Sequence, residues 1–236
     1  MSRRVLLLQL GEAPEPVRRI HGPFATWYDR VWGDDPPLVH HDARAGGRGP
    51  DPRDFAGVVV TGSAASLVAP EAWMDDAAAF VVRAADAGVP VLGVCFGHQL
   101  VGRAFGGRVV RNPRGWEIGS FDIEVTVGDD LLFAGLAPRL RVNLVHQDMV
   151  EAPPSSGIRV LATNATTPIQ ALAFGDHVRG VQFHPEIDGT ILRGYLDARR
   201  SLLTDQDPDT LIAGAGDSPD GVAVLTAFRE RFVARS

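Results

Sequence analysis

The segment GVCFG at residues 93–97 has the pattern of a nucleophile elbow, in which two glycines flank a reactive side chain. The apolar run Val89–Val94 predicts a buried strand leading into it, and His98–Phe105 predicts a helix after it. The tight turn between them holds Cys95 in a strained backbone, and the N-terminus of the helix favours its thiolate form. The alternative is a small buried residue at the end of a core strand, because free cysteines are commonly buried.

Short apolar runs on the N-terminal side of this segment predict further strands of the same sheet. These runs do not alternate with polar residues, which is typical of parallel strands that are covered on both faces. The predicted strands are Val5–Leu10, Leu38–His41 and Gly57–Thr61, and the predicted helices are Phe24–Val31 and Ala72–Ala87. Gly88 follows the second helix directly and is a typical signal for the end of a helix.

The pattern changes after residue 107, where six strand-like runs follow one another with little helix between them. They are Arg108–Arg111, Phe121–Val127, Arg141–Val145, Arg159–Thr163, Ile169–Phe174 and Val178–Phe183. This block predicts a mixed or antiparallel extension of the sheet, with hairpin turns at residues 128–129 and 175–176. Two further helices, Gly189–Leu203 and Gly221–Ala234, follow. We therefore expect one α/β domain over residues 1–236, with a mostly parallel central sheet and helices on both faces.

The composition excludes several classes of chemistry. The 236 residues carry 23 basic and 29 acidic side chains, a net charge of −6. All the basic residues are arginine, which excludes a lysine Schiff base and the lysine of a P-loop. The single cysteine excludes an internal disulfide and a cysteine-based zinc cage. The arginines are scattered among acidic residues, so nucleic acid is not expected as a partner.

The sequence also argues against a membrane or a metal ion as a partner. No apolar run reaches the roughly 18–20 residues that span a bilayer. The basic start followed by Val5–Leu10 resembles a signal peptide, but the apolar stretch is too short for one. The neighbouring His40 and His41 face opposite ways on a strand, so they predict no metal site. We expect a cytoplasmic protein.

A second candidate for chemistry is the segment FHPE at residues 183–186, at the end of the predicted strand Val178–Phe183. Residues i and i+2 of an extended chain face the same side, so His184 and Glu186 are expected to address one site. A carboxylate that orients an imidazole beside a nucleophile has the logic of a catalytic triad. The alternative is a solvated surface pair, but the cysteine elbow needs such a base.

A third candidate is the segment VTGS at residues 60–63, at the C-terminal end of a predicted strand. Open α/β sheets bind their ligands at this end. Gly62 can turn its backbone N–H toward a substrate without a side chain in the way, and with the N–H of Phe96 it is predicted to form an oxyanion hole. The alternative is an ordinary turn between a strand and a helix.

Together these segments resemble one family. GVCFGHQ at residues 93–99, VTGS at 60–63 and QFHPE at 182–186 are similar to the motifs of class I (triad-type) glutamine amidotransferases. The likeness is strongest to the amidotransferase domain of GMP synthase and its stand-alone relatives. WEIG at residues 116–119 and LVHQDMV at 144–150 agree with it. The resemblance covers roughly residues 5–203 and implies a flavodoxin-like α/β fold.

The resemblance assigns roles to the residues of the three motifs. Cys95 is implied to be the nucleophile, His184 the base and Glu186 the group that orients it. Gly62 and Phe96 are implied to supply the two N–H groups of the oxyanion hole.

The resemblance also implies a substrate site beside the elbow. Gln99 is implied to contact glutamine, and the stretch from Val145 through His146 to Asp148 is implied to hold its amino-acid end. Val145 stands where the synthase domain usually has serine. The family's contacts there are largely made by the backbone, so this difference is not expected to remove activity. A structural role is the alternative for His146 and Asp148.

The implied reaction is hydrolysis of the side-chain amide of glutamine to glutamate and ammonia through a γ-glutamyl thioester, with no metal or organic cofactor. In a full amidotransferase the ammonia passes to a synthetase, for which we find no room in this chain. Either a separate synthetase subunit binds the chain or the chain acts alone. A γ-glutamyl hydrolase or peptidase with the same triad is the alternative. The intact triad disfavours a non-catalytic binding module.

Overall fold

Eleven strands are present in the computed structural model, which describes residues 4–234. In chain order they are β1 (Val5–Gln9), β2 (Leu38–Asp42), β3 (Gly57–Val60), β4 (Val91–Val94), β5 (Arg108–Arg111), β6 (Glu117–Val125), β7 (Arg139–His146), β8 (Asp148–Glu151), β9 (Arg159–Thr163), β10 (Ala171–Phe174) and β11 (Val178–Val181). Nine of them form one sheet in the order β2-β1-β3-β4-β11-β10-β9-β6-β7, while β5 and β8 pair separately.

The large sheet is parallel in one half and antiparallel in the other. The strands from β2 to β11 run parallel to their neighbours. From β11 through β10, β9 and β6 to β7 every pairing is antiparallel. This confirms the mostly parallel central sheet with an antiparallel extension. The strand β11 joins the two halves, because it pairs parallel with β4 and antiparallel with β10.

Helices cover both faces of the sheet. They are α1 (Glu15–His21), α2 (Phe24–Trp32), α3 (Ala72–Asp86), α4 (Phe96–Ala104), α5 (Gly189–Ala198), α6 (Pro208–Gly214) and α7 (Pro219–Phe228). The strands supply side chains to each face in turn: Leu7 of β1 joins the apolar cluster that includes α2, α5 and α7, whereas Leu6 and Leu8 join the cluster with α3 and α4. No helix within residues 4–234 is long and apolar enough to cross a bilayer.

Several element boundaries differ from the predictions for physical reasons. The strand expected over Val89–Val94 begins at Val91, after Pro90, which has no N–H to donate to a ladder. The helix expected over His98–Phe105 begins two residues earlier, at Phe96, and therefore starts directly after Cys95. The tight hairpin expected at residues 128–129 was wrong: those residues lie inside the long connection from β6 to β7.

The C-terminal helices also differ in detail. The segment Gly189–Leu203 is α-helical only to Ala198 and continues as a 3-10 turn over Arg200–Leu202. The last helix begins at Pro219, because the side chain of Ser218 caps it, and it ends in a π-helical turn. The short elements α1, α6 and β8 were not predicted. Each spans at most seven residues and gives too little periodicity to read from sequence.

Candidate active site

Cys95 lies at a sharp turn between β4 and α4. It is the one non-glycine residue with a positive φ among residues 4–234, at φ 52° and ψ −102°. A Cβ on Gly93 would lie 2.4 Å from the carbonyl oxygen of Gly97, and a Cβ on Gly97 would lie 2.3 Å from that of Val60. Both flanking positions therefore require glycine, and the close packing they permit holds the cysteine in its strained conformation.

The backbone of Cys95 is fixed from the neighbouring strand. Its N–H donates to the carbonyl oxygen of Val181, and its thiol donates to the carbonyl oxygen of Val145 at 3.7 Å. The side chain is 5% exposed and lies at the N-terminus of α4. The partial positive charge of a helix N-terminus stabilises a thiolate at this position.

His184 and Glu186 form a buried pair next to Cys95. The Nδ1 of His184 lies 2.6 Å from Oε1 of Glu186, and both side chains are almost wholly buried. The prediction that strand alternation aligns them was wrong, since β11 ends at Val181 and the pair lies in the bend and turn beyond it. The N–H of His184 donates to the carbonyl oxygen of Asn143, which ties this turn to β7.

The charge state of His184 follows from its neighbours. Burial by itself lowers the pKa of the imidazole, but the negative charges of Glu186 and Cys95 outweigh burial and raise the pKa to about 10. The imidazole is therefore a cation at neutral pH. A histidine cation beside a cysteine at a helix N-terminus is the arrangement that favours the thiolate form of a catalytic cysteine.

Gly62 and Tyr28 complete the wall behind the pair. A Cβ on Gly62 would lie 3.0 Å from Cε1 of His184 and 3.7 Å from Cβ of Cys95, so a larger residue would displace the imidazole. The hydroxyl of Tyr28, on α2, lies beside both Gly62 and Glu186. Burial and the charge of Glu186 raise the pKa of Tyr28 well above its usual value, so the phenol keeps its proton.

A cavity of about 200 Å³ opens in front of Cys95. It is lined by six of the predicted site residues, Cys95, Phe96, Gln99, Val145, His146 and Asp148. Gly62 does not line it, whereas its neighbour Ser63 does. Two larger hollows, of about 480 and 500 Å³, contain none of the candidate triad.

Three of the predicted substrate residues are held by each other. The side-chain amide of Gln99 donates to the carbonyl oxygen of Asp148 at 2.9 Å, and Nδ1 of His146 lies 3.0 Å from the same oxygen. The carboxylate of Asp148 accepts from Ser66 and lies 3.1 Å from Arg111. The other nitrogen of His146 lies 3.0 Å from the carboxylate of Glu117. His146 thus has the contacts of a structural residue while its edge borders the cavity.

Sequence reasoning missed four residues that shape the site. Tyr28, Asn143 and Arg199 lie outside the motifs, and no local pattern marks them. Trp116 was part of a quoted motif but received no role. Arg199 and Trp116 both line the cavity.

The chain is similar to known proteins over much of its length. Residues 50–196 match the family model described as glutamine amidotransferase class-I. The glutamine-hydrolyzing GMP synthase of Thermomicrobium roseum is 39% identical over 145 residues, which cover 59% of this chain and 26% of that protein. One subunit of the glutamine-hydrolyzing GMP synthase of Pyrococcus abyssi is 43% identical over 114 residues, which cover 45% of this chain and 58% of that subunit. The chain thus spans about a quarter of the first relative and less than two thirds of the second.

Solved structures share the fold. A glutamine amidotransferase from Thermotoga maritima superposes with a TM-score of 0.76 over 99% of both chains, at 20% identity. A glutamine amidotransferase from Methylobacillus flagellatus gives a TM-score of 0.71 over 100% of this chain and 94% of that one, at 23% identity. The arrangement of sheet and helices is therefore that of these proteins.

Proposed function

The chain belongs to the class-I glutamine amidotransferase family, and from that premise we propose that it hydrolyses the side-chain amide of glutamine to glutamate and ammonia. One observation carries the proposal: a strained cysteine at a helix N-terminus lies on the wall of a cavity and next to a buried histidine–glutamate pair. Nucleophile, base and orienting carboxylate are then Cys95, His184 and Glu186.

The first half of the proposed reaction forms a thioester. The Cys95 thiolate attacks the amide carbon of glutamine, a C–S bond forms and the amide oxygen becomes an oxyanion. The His184 imidazolium gives its proton to the amide nitrogen, and the C–N bond breaks to release ammonia. Glu186 stays ionised and holds the ring through Nδ1, 2.6 Å away.

The second half returns the enzyme to its starting state. His184, now neutral, takes a proton from water as the water oxygen attacks the thioester carbon. The C–S bond breaks, glutamate leaves, and the thiolate and the imidazolium are both restored. No cofactor takes part in either step of this proposal.

The oxyanion is proposed to bind the backbone N–H groups of Phe96 and Gly62. The position of Phe96 at the first turn of α4, on the cavity wall, supports its part. For Gly62 the support is its close packing against the pair, because a Cβ there would lie 3.0 Å from Cε1 of His184 and 3.7 Å from Cβ of Cys95. Gly62→Ala is expected to lower kcat by up to about 10²-fold, because a small displacement of a catalytic group has effects of that size. Unchanged kcat would show that the space around residue 62 does not limit catalysis and would remove this support for Gly62.

The cavity supports free glutamine as the substrate over a γ-glutamyl peptide. Its volume of about 200 Å³ is below the roughly 300–1,000 Å³ of sites for drug-sized ligands. It suits a single amino acid. We further propose that a separate synthetase subunit receives the ammonia, and the relatives that are named as one subunit of a GMP synthase support this.

The proposal is tested by ammonia release from L-glutamine, with γ-glutamylglycine as the competing substrate and Cys95→Ser as the control. We expect release from glutamine that the control loses. In parallel, a diazoketone analogue of glutamine should add one adduct at Cys95, detected by mass spectrometry of the digested protein. Neither release nor adduct would overturn the proposal, and faster cleavage of γ-glutamylglycine would replace glutamine with a γ-glutamyl peptide.

A further inference from the structure

Arg199 presents its guanidinium on the wall of the cavity that holds Cys95. The residue follows the last turn of α5, and its guanidinium carbon lies 4.9 Å from the ring centre of Trp116 and 5.4 Å from that of Tyr195. Aromatic faces attract a guanidinium through its plane and leave its N–H edges free. The two rings therefore fix the position of the cation without using its hydrogen-bond donors.

Within residues 4–234 this cation has no carboxylate partner, although the charge of Cys95 acts on it and by itself raises its pKa. No carboxylate lies within ion-pair distance of it, and its Nε is buried without a hydrogen-bond partner. The second arginine at the cavity, Arg111, differs in this respect because it lies 3.1 Å from Asp148. Burial lowers the pKa of Arg199, which means that its surroundings leave the charge incompletely stabilised. An anion that enters the cavity would offset the free-energy cost of burying this charge.

We propose that Arg199 binds the α-carboxylate of the substrate, an inference that rests on the proposed glutaminase function. The guanidinium fork matches a carboxylate with two parallel hydrogen bonds. Free glutamine and γ-glutamyl compounds both carry this carboxylate, so the inference is the same for either substrate. With the side-chain amide at Cys95, a contact with Arg199 on the wall of the same cavity would hold both ends of the amino acid.

The role predicts a selective loss of affinity, which is measured without turnover. In a Cys95→Ala background, calorimetry gives the Kd of L-glutamine and of L-glutaminamide, in which the carboxylate is replaced by a neutral amide. Arg199→Met keeps the length and the contact with the rings but removes the charge. We expect this variant to raise the Kd of glutamine roughly 10- to 100-fold, the range for hydrogen bonds between charged groups. The Kd of glutaminamide should stay nearly unchanged. Arg199→Lys should recover part of the loss.

Arg200→Met is the matched control, since Arg200 is the next residue and its guanidinium is already engaged by Asp197 and Asp209 at the surface. It should bind both ligands as the Cys95→Ala protein does. If Arg199→Met leaves the affinity for glutamine unchanged, or lowers the affinity for both ligands equally, the inference is overturned while the proposed function stands. If the Cys95→Ala protein itself binds neither ligand, the proposed function and the inference fall together.

Discussion

Two buried histidine–glutamate pairs lie in this molecule, His184 with Glu186 and His146 with Glu117. Their nitrogen–oxygen distances are similar, 2.6 Å and 3.0 Å, and all four side chains are nearly inaccessible to solvent. They differ in what else the carboxylate contacts. Glu117 also accepts from three further side chains, Asn164 at 2.6 Å, Thr167 at 2.8 Å and Gln170 at 3.0 Å.

Glu186 has no such set of donors. Its Oε2 is buried without a hydrogen bond of good geometry among the described residues, and the nearby hydroxyl of Tyr28 is in the same condition. The charge of Glu186 therefore acts mainly on His184, whose pKa it raises, whereas the charge of Glu117 is spread over a saturated network. The unsatisfied oxygen of Glu186 and the cysteine beside the ring thus distinguish this pair from His146 and Glu117, and they support the catalytic role proposed for it.

The largest effect that distinguishes the pairs is expected at His184. His184→Asn can still donate to Glu186 but cannot carry a proton, so kcat should fall by about 10⁴ or more while the fold is kept. Steady-state ammonia release and thermal unfolding followed by circular dichroism are the measurements. Activity within tenfold of the parent would give His184 the same structural standing as His146.

Glu186→Gln is expected to act through His184 alone, and we expect a smaller loss, roughly 10²–10³-fold in kcat. Without the carboxylate charge the pKa of His184 falls below about 10, so the imidazole loses its proton at a lower pH. The alkylation rate of Cys95 by iodoacetamide at neutral pH should then drop, because the cation that stabilises the thiolate is lost.

The double variant His184→Asn/Glu186→Gln sharpens this result. Its kcat should match that of His184→Asn, since an orienting group has no role once the base is gone. If the two losses multiply instead, Glu186 has a role of its own, such as contact with the substrate.

Glu117→Gln should affect stability more than activity, in contrast to the variants of His184 and Glu186. The new amide faces donors that require a carboxylate, so we expect a loss of about 1–3 kcal/mol in the free energy of unfolding and a change in kcat of only a few-fold. Burial raises the pKa of Glu117, but the hydrogen bonds from His146, Asn164 and Thr167 outweigh burial and hold it below its usual value. The carboxylate therefore stabilises the fold at neutral pH and stops doing so in acid.

The difference in stability between parent and Glu117→Gln should accordingly narrow as the pH falls through the pKa of Glu117. Urea unfolding at neutral and acidic pH measures it. A difference that stays constant with pH would show that the network does not depend on the charge.

The smallest effect is expected for Tyr28→Phe. Removing the hydroxyl should lower kcat by roughly two- to tenfold, because a polar group beside Glu186 is lost, and leave KM for glutamine unchanged. A displaced alkaline limb in the pH profile would identify the effect as electrostatic, because Tyr28 then acts through the pKa of His184. A fall in kcat that comes with a lower temperature of unfolding would instead assign Tyr28 to packing.

The sequence predicted the parts of the site that depend on local geometry. The elbow at Cys95 needs glycine at residues 93 and 97 because backbone passes within 2.4 Å of each missing Cβ. The residues that meet this requirement are the five consecutive residues 93–97, so a local sequence pattern is enough to find them. The parallel strands were predicted equally well, because β1, β3 and β4 are buried on both faces and consist almost entirely of apolar residues.

Tertiary neighbours could not be predicted in this way. Tyr28 comes to Glu186 from α2, and it looks like an ordinary apolar position of an amphipathic helix. Glu117 lies in the WEIG motif, but its donors at residues 164–170 come from the connection between β9 and β10. No local pattern links them to it. The prediction that His184 and Glu186 lie side by side agrees with the structure, but its reason was wrong. The two residues meet across a turn and not along an extended strand.

The pairing of β4 with β11 has a consequence for the order in which the protein is made. Val91 lies in register with Val178 and donates its N–H to the carbonyl oxygen of His177, and the N–H of Cys95 donates to the carbonyl oxygen of Val181. A growing chain that has left the ribosome only as far as α4 carries the cysteine next to an open strand edge, with no imidazole to form a thiolate. Such an edge is prone to pair with another chain. The buried pair that the proposed mechanism needs beside Cys95 is therefore assembled only when synthesis of the last quarter of the chain closes that edge.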